Sequence, residues 1–206
     1  MSLFVTFEGI DGAGKSTQFR LTAERLPQAG YPVCTTREPG GTAIGDQIRH
    51  ILHDVNNQEM TAEAEILLYS ASRAQLVRQF ILPRLAKGEV VLCDRYTDST
   101  YAYQGYGRGL DLAKLRWLTD FATQGLRPDL IVYLDLEVAE GLRRKATSAE
   151  ALNRMDQLGR DFYERVRQGY LAMAQAEPAR WFIVDAACPI AEINPLICQR
   201  IAEMLK

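Results

Sequence analysis

A chain of 206 residues, 47% hydrophobic and 24% charged, can bury one full core and fits a single domain, 1–206, rather than a disordered or fibrous polypeptide. Its net charge of -2 leaves no basic excess for a nucleic-acid or anionic membrane surface, so any bound anion must be held by local arginines. No apolar run approaches the ~20 residues of a membrane-spanning helix, and no leader pattern precedes the first strand, so the cytoplasm is the expected compartment.

The first predicted element is the apolar strand Leu3–Phe7. It runs into Gly9-Ile10-Asp11-Gly12-Ala13-Gly14-Lys15-Ser16, which fits G-x-x-x-x-G-K-[ST], and a helix-compatible run from Lys15 to Leu26 follows. Such a loop curls its backbone N–H groups around phosphate oxygens, and glycine leaves room for that approach. The helix start adds the positive end of its dipole. Lys15 is suited to bridging the outer phosphates and the Ser16 hydroxyl to coordinating Mg²⁺. The loop therefore predicts a nucleoside triphosphate, cradled by Gly9, Ile10, Asp11, Gly12, Ala13, Gly14, Lys15, Ser16 and Thr17. A carboxylate inside such a loop repels phosphate, so Asp11 is expected to face the metal or a substrate hydroxyl; a solvent-facing acid is the alternative.

The second strand is Pro32–Thr35. After it come Arg37-Glu38-Pro39-Gly40-Gly41-Thr42, where an arginine can chelate a second anion in two-pronged fashion, and Arg49 on the next helix. His50 and His53 share that helix without a partner set for a metal. The longest predicted helix runs from about Thr61 to Leu85, with Thr61 near its cap. Leu67, Ala71, Ala74 and Phe80-Ile81 mark its apolar face, and Pro83 is expected to end or kink it. Tyr69 and Arg73, four apart, combine a stacking ring with a donor fork on one face.

The third strand, Val90–Cys93, ends in Asp94, positioned to reach a metal or its waters, and Arg95-Tyr96 follow. Ser99-Thr100-Tyr101-Ala102-Tyr103-Gln104-Gly105 offers hydroxyl, amide and ring groups suited to a base and sugar. Leu130–Leu134 and Trp181–Val184 complete five apolar runs separated by helices. This predicts an α/β fold, a five-stranded parallel sheet with helices on both faces and ligands at the carboxyl ends of its strands. Between the last two strands, Arg143 to Arg154 has little to bury and reads as a mobile basic flap, a short lid over about 143–156. Cys34, Cys93, Cys188 and Cys198 are scattered and expected to be free thiols.

From Phe7-Glu8-Gly9 to the last helix the chain resembles the bacterial thymidylate kinases. The most specific parts are Arg37-Glu38-Pro39-Gly40-Gly41-Thr42, Asp94-Arg95-Tyr96 and the Ser99–Gly105 cluster, in order. The resemblance implies a P-loop nucleoside triphosphate hydrolase fold, ATP as co-substrate, Mg²⁺, and transfer of the γ-phosphoryl group to dTMP in dTTP synthesis. A kinase of another nucleoside monophosphate or of a deoxynucleoside is the alternative. It implies Lys15 and the loop amides at the transferred phosphate, Ser16 and Thr17 on the metal side with Asp94, and Arg37 and Arg95 on the acceptor phosphate with Glu38 in support. Asp11 is implied near the sugar 3′-hydroxyl and Arg49 near the acceptor. Tyr69 would stack on thymine, Arg73 would donate to O4, Thr100 and Gln104 would complete the base edge beside Ser99, and Tyr103 would crowd the 2′ position. The loop interior carries no basic residue, which resembles the lid-arginine type and implies a catalytic cation among Arg143, Arg144, Lys145 and Arg154. The likeness and the long Ala-rich helix also imply a homodimer.

Overall fold

The computed structural model describes residues 2–147, 155 and 158–206. Five strands, β1 (Leu3–Glu8), β2 (Val33–Arg37), β3 (Val90–Asp94), β4 (Leu130–Asp135) and β5 (Trp181–Asp185), form one sheet in the order β2-β3-β1-β4-β5. Every pairing is parallel. All five predicted strands are present, each running one or two residues further at its carboxyl end, with β2 starting at Val33 rather than Pro32, and the α/β architecture stands as read.

Strands buried on both faces are near-continuous apolar runs because helices cover each side. Leu3, Val5 and Phe7 of β1 and Val90 and Leu92 of β3 face one core, while Phe4, Val91 and Cys93 face the other. On the first side lies α1 (Lys15–Gln28), whose Phe19 meets Phe7 edge to face at 5.4 Å. The C-terminal helix, Ile190–Met204, is tied to it by Asn194, which donates to the Thr22 hydroxyl at 3.1 Å. On the second side, Leu76, Val77 and Ile81 pack on Phe4 and Val91. There too Tyr170, on the helix Arg160–Ala176, stacks on Tyr133 of β4 at 4.9 Å.

Helices α2 (Ala43–His53) and α3 (Ala62–Leu76) follow β2, each with a threonine cap: Thr42 accepts from the Gly45 amide and Thr61 from the Ala64 amide. The predicted long helix does not stop at Pro83. It passes through a π turn, Val77–Ile81, into α4 (Leu82–Ala86), with Pro83 in the first turn of α4, where a missing N–H is tolerated.

Of its expected apolar face, Ile81 is buried and Phe80 packs beside it, but the first half differs. Leu67 and Ala71 point outward, and the buried side carries Glu65, Ile66, Ser70, Ser72, Arg73 and Leu76. This helix turns polar groups toward a site, so apolar spacing alone picks the wrong stripe.

After β3 come α5 (Thr97–Thr100) and a π-helical segment, Tyr101–Gly107, then α6 (Leu112–Thr123). Beyond β4, α7 (Val138–Ala146) is a regular helix, so the predicted flap begins as ordered secondary structure; the rest of its span, apart from Thr147 and Met155, lies outside the described residues. The four cysteines are free, Cys93 buried and Cys188 exposed. Among the described residues no helix is long and apolar enough to cross a membrane.

Candidate active site

The carboxyl ends of β1, β2 and β3 lie side by side, because the register pairs Asp94 with both Phe7 and Arg37. A cavity of about 380 Å³ opens there, and the loops leaving these strands and α3 supply its walls.

The loop after β1 needs glycine at two positions for opposite reasons. Gly12 has φ +80° and a Cβ there would sit 2.2 Å from the Gly141 carbonyl oxygen of α7. Gly14, with φ +81°, has no heavy atom within 4 Å of its would-be Cβ. A Gly12→Ala variant is therefore expected to lose about 2–4 kcal/mol from strain plus overlap, read as a lowered Tm. Gly14→Ala is expected to cost only about 1 kcal/mol of backbone strain, read as a smaller fall in Tm, because its methyl meets open space. Side chains of Ile10 and Ala13 join the core under the loop, so only their backbone is available to a ligand, and the Ala13 amide already donates to the Ile10 carbonyl at 3.3 Å. The first helical bond of α1 runs from the Gln18 amide to Gly14, leaving the amides of Lys15, Ser16 and Thr17 outside the ladder.

Lys15 is buried, donates to the Ile10 carbonyl at 3.0 Å and lies 3.7 Å from Asp11. Burial, reinforced by Arg95, brings its ammonium down to about 8, although Asp11, Asp94 and Glu8 pull the other way. Asp11 does not point at solvent: it accepts from Arg95 Nη2 at 2.6 Å. Burial pushes its carboxyl up, but Arg95, Lys15 and Lys145 together hold it below its ordinary value.

Arg95 has φ +67°, an uncommon conformation for a bulky residue. Its backbone amide donates to the Phe7 carbonyl at 3.0 Å, and Nη1 donates to the Gly9 carbonyl and the Ser99 hydroxyl. The guanidinium lies 5.2 Å from the centre of the Tyr103 ring. Sequence reading missed what locks this geometry. Glu8, fully buried, accepts from the Tyr96 amide at 2.8 Å, the Ser99 hydroxyl at 2.6 Å and the Tyr170 hydroxyl at 2.8 Å. Burial raises its carboxyl pKa, opposed by Arg95 and these donors. Glu8 had a signal as a carboxylate just before the loop; Tyr170, an ordinary helical aromatic by spacing, had none.

From the β2 side, Arg37 donates to Asp46 at 2.9 Å and Arg49 to the Pro39 carbonyl at 3.0 Å. Burial and the neighbouring Arg37 lower the Arg49 pKa. Glu38 is buried against Arg73, whose Nε donates to it at 2.7 Å, and Arg73 Nη2 donates to the Tyr96 carbonyl at 3.2 Å. Burial pushes the Glu38 carboxyl up to about 7 against the pull of Arg73. Arg73 Nη1 is buried without a partner, as is the Tyr103 hydroxyl. Tyr69, Thr100, Tyr103 and Gln104 line the same cavity, with His53 and Met155 at its wall.

Of the lid cations, Lys145 reaches the cavity. Arg143 and Arg144 do not: both are bound by Glu140, at 2.7 Å each, and Arg144 also donates to the Ala186 carbonyl. Their i, i+3 and i, i+4 spacing from Glu140 on one helix explains the pairing. Arg154 lies outside the described residues.

Among the described residues no three His, Cys, Asp or Glu side chains form a metal cluster. The donors fit Mg²⁺ in another way, through one carboxylate and a hydroxyl, with phosphate oxygens and waters completing the set. Asp94 Oδ1 is buried and unpartnered, and Ser16 lines the same cavity.

A family model described as thymidylate kinase matches residues 7–197. The thymidylate kinase of Roseiflexus sp. (strain RS-1) is 52% identical over 197 residues, covering 90% of this chain and 87% of the relative. That of Geotalea uraniireducens (strain Rf4) is 46% identical, covering 98% and 100%. The solved thymidylate kinase from Ehrlichia chaffeensis superposes with a TM-score of 0.76 at 32% identity, covering 100% of this chain and 99% of the other. A glycine-rich loop and three arginines on one cavity, in a chain matched over nearly its whole length, leave one assignment: the chain belongs to the thymidylate kinase family.

Proposed function

We propose that the chain transfers the γ-phosphoryl group of ATP to dTMP, giving dTDP and ADP, in dTTP synthesis. What supports this is that Lys15 and Ser16 of the loop line one cavity with Arg37, Arg49 and Arg95, linked by the Lys15–Asp11–Arg95 chain at 3.7 Å and 2.6 Å. Lys15 and the helix-start amides would hold the donor's outer phosphates. Arg95, with Arg37 and Arg49, would hold the acceptor phosphate, and Glu38 keeps Arg73 aligned. The acceptor phosphate oxygen attacks the γ-phosphorus and the bond to the β-bridging oxygen breaks, so ADP leaves with that oxygen. The attacking oxygen is already anionic at neutral pH, so no general base is required, and positioning with charge neutralisation carries the rate.

Tyr69 would stack on the base, Arg73 would use its unpartnered Nη1 toward O4, and Thr100, Ser99 and Tyr103 would enclose the sugar and base edge. Mg²⁺, held by Ser16 and Asp94, would neutralise charge on the donor phosphates. Lys145 is the lid cation we assign to the transferred phosphate, because it lines the cavity and Arg143 and Arg144 do not. Phosphorus NMR of a reaction with ATP and dTMP tests the assignment: signals of dTDP and ADP growing together support it, and inorganic phosphate with unchanged dTMP refutes it.

The lowered Lys15 pKa sets a pH dependence. A bound triphosphate favours the ammonium, so binding takes up a proton once the pH approaches 8. Affinity for ATP is expected to fall as pH rises through 8, by up to about tenfold per unit, and to be flatter in Lys15→Met. Calorimetry between pH 7 and 9 in buffers of different ionisation enthalpy reads both the slope and the proton.

We further infer a homodimer and the cytoplasm as its compartment. Trp117 and Phe121 of α6 are 70% and 76% exposed and stacked on each other, and Leu67 of the adjoining α3 is 58% exposed. Such apolar surface favours a partner. Sedimentation velocity is expected to show a dimer, and a monomer for Trp117→Glu combined with Phe121→Glu. Free thiols support a reducing compartment.

A further inference from the structure

Gln104 is buried at the cavity wall, and its side-chain Nε2 donates to Glu65 Oε1 at 2.8 Å. Glu65, on the first turns of α3, is itself fully buried. Arg108, just after the π-helical segment, grips it with two bonds, Nε to Oε1 and Nη2 to Oε2, each 2.8 Å. A carboxylate held by a guanidinium is an acceptor only, so it dictates which end of the Gln104 amide faces it. The amino end turns to Glu65, and the carbonyl oxygen is left for the other side. A free glutamine amide carries no such preference, since its two ends have nearly the same shape.

We propose that Glu65, clamped by Arg108, is a positioning residue that fixes the amide polarity of Gln104 and thereby sets base specificity. This rests on the reading of the cavity as the dTMP site. The fixed carbonyl oxygen accepts from a base that carries N–H at N3, as thymine does. Cytosine offers a lone pair at that position and meets an acceptor. The unpartnered Arg73 Nη1 on the same cavity asks for a carbonyl beside it, again as thymine has. Turning the amide over would require Glu65 to face a second acceptor, which the buried carboxylate penalises.

The test is a comparison of Glu65→Gln with the unaltered protein on dTMP, dCMP and N3-methyl-dTMP. Glutamine keeps the shape but can donate or accept, so the Gln104 amide is released to turn. The expected result is a KM for dTMP raised about tenfold with kcat nearly unchanged, and a dTMP-over-dCMP preference reduced by about tenfold. The unaltered protein is expected to reject N3-methyl-dTMP. Arg108→Met provides a second variant, since Arg108 is partly exposed and its loss unclamps Glu65 without emptying the core. It is expected to shift the same preference in the same direction by a smaller factor. A folded Glu65→Gln or Arg108→Met protein with unaltered dTMP-over-dCMP preference overturns the proposal. So does a variant that loses kcat on both substrates alike, which marks a merely structural role. If the unaltered protein does not use dTMP, the reading of the cavity fails instead.

Discussion

Arg95→Ala is expected to lower kcat/KM for dTMP by about 10³-fold while the protein remains folded. In the proposed reaction the guanidinium would stand between donor and acceptor charge: it binds Asp11 at 2.6 Å and reaches the Gly9 carbonyl of the glycine-rich loop. Alanine removes that charge and the two-pronged grip, but not the backbone that holds the turn. The amide of residue 95 still donates to Phe7, and Tyr96 still donates to Glu8. Alanine meets the same left-handed strain that arginine does, so little new strain is added. Steady-state kinetics should show the KM for dTMP rising and kcat falling, with the KM for ATP changing least; circular dichroism should be unaltered. A folded variant with near-normal turnover and dTMP affinity would remove Arg95 from the account.

Lys15→Met is expected to bring turnover below about 10⁻³ of the unaltered protein, with thermal stability unchanged or slightly raised. The two effects have one origin. The Lys15 ammonium is buried beside Arg95, which is why its pKa falls to about 8, and holding such a charge out of water costs folding free energy. Methionine keeps the apolar stem and removes the charge. Asp11 retains Arg95 as its partner, so no carboxylate is stranded. Scanning calorimetry and a coupled assay on the same preparation check the pair of outcomes. A Tm lowered by many degrees would mean that Lys15 holds the loop together rather than serving a ligand.

The sheet was legible because parallel strands covered on both sides must be almost wholly apolar, and Val90-Val91-Leu92-Cys93 has no other comfortable place. The phosphate loop was legible because its glycines answer to backbone conformation. The face of the long helix was read correctly only at Phe80 and Ile81, which pack in the core; over α3 Leu67 and Ala71 are exposed and the buried stripe carries Glu65, Ser70, Ser72 and Arg73. Polar residues buried for a site defeat hydrophobic spacing as a guide. The ion pairs of Glu140 with Arg143 and Arg144 were open to a spacing argument, but the basic run was read as a flap and its acid overlooked. Glu8 and Glu65 act through partners that tertiary structure alone brings to them: Tyr170 lies on a helix far along the chain, and Gln104 and Arg108 follow the third strand.

The central claim is that donor and acceptor sites meet on this cavity to phosphorylate thymidylate. A coupled ADP-release assay with ATP and Mg²⁺, run across dTMP, dUMP, dCMP, dGMP and AMP at matched concentrations, tests it most directly. The highest kcat/KM is expected for dTMP, with dCMP, dGMP and AMP far behind. A preference for any other acceptor, or equal ADP release with no acceptor present, would contradict it.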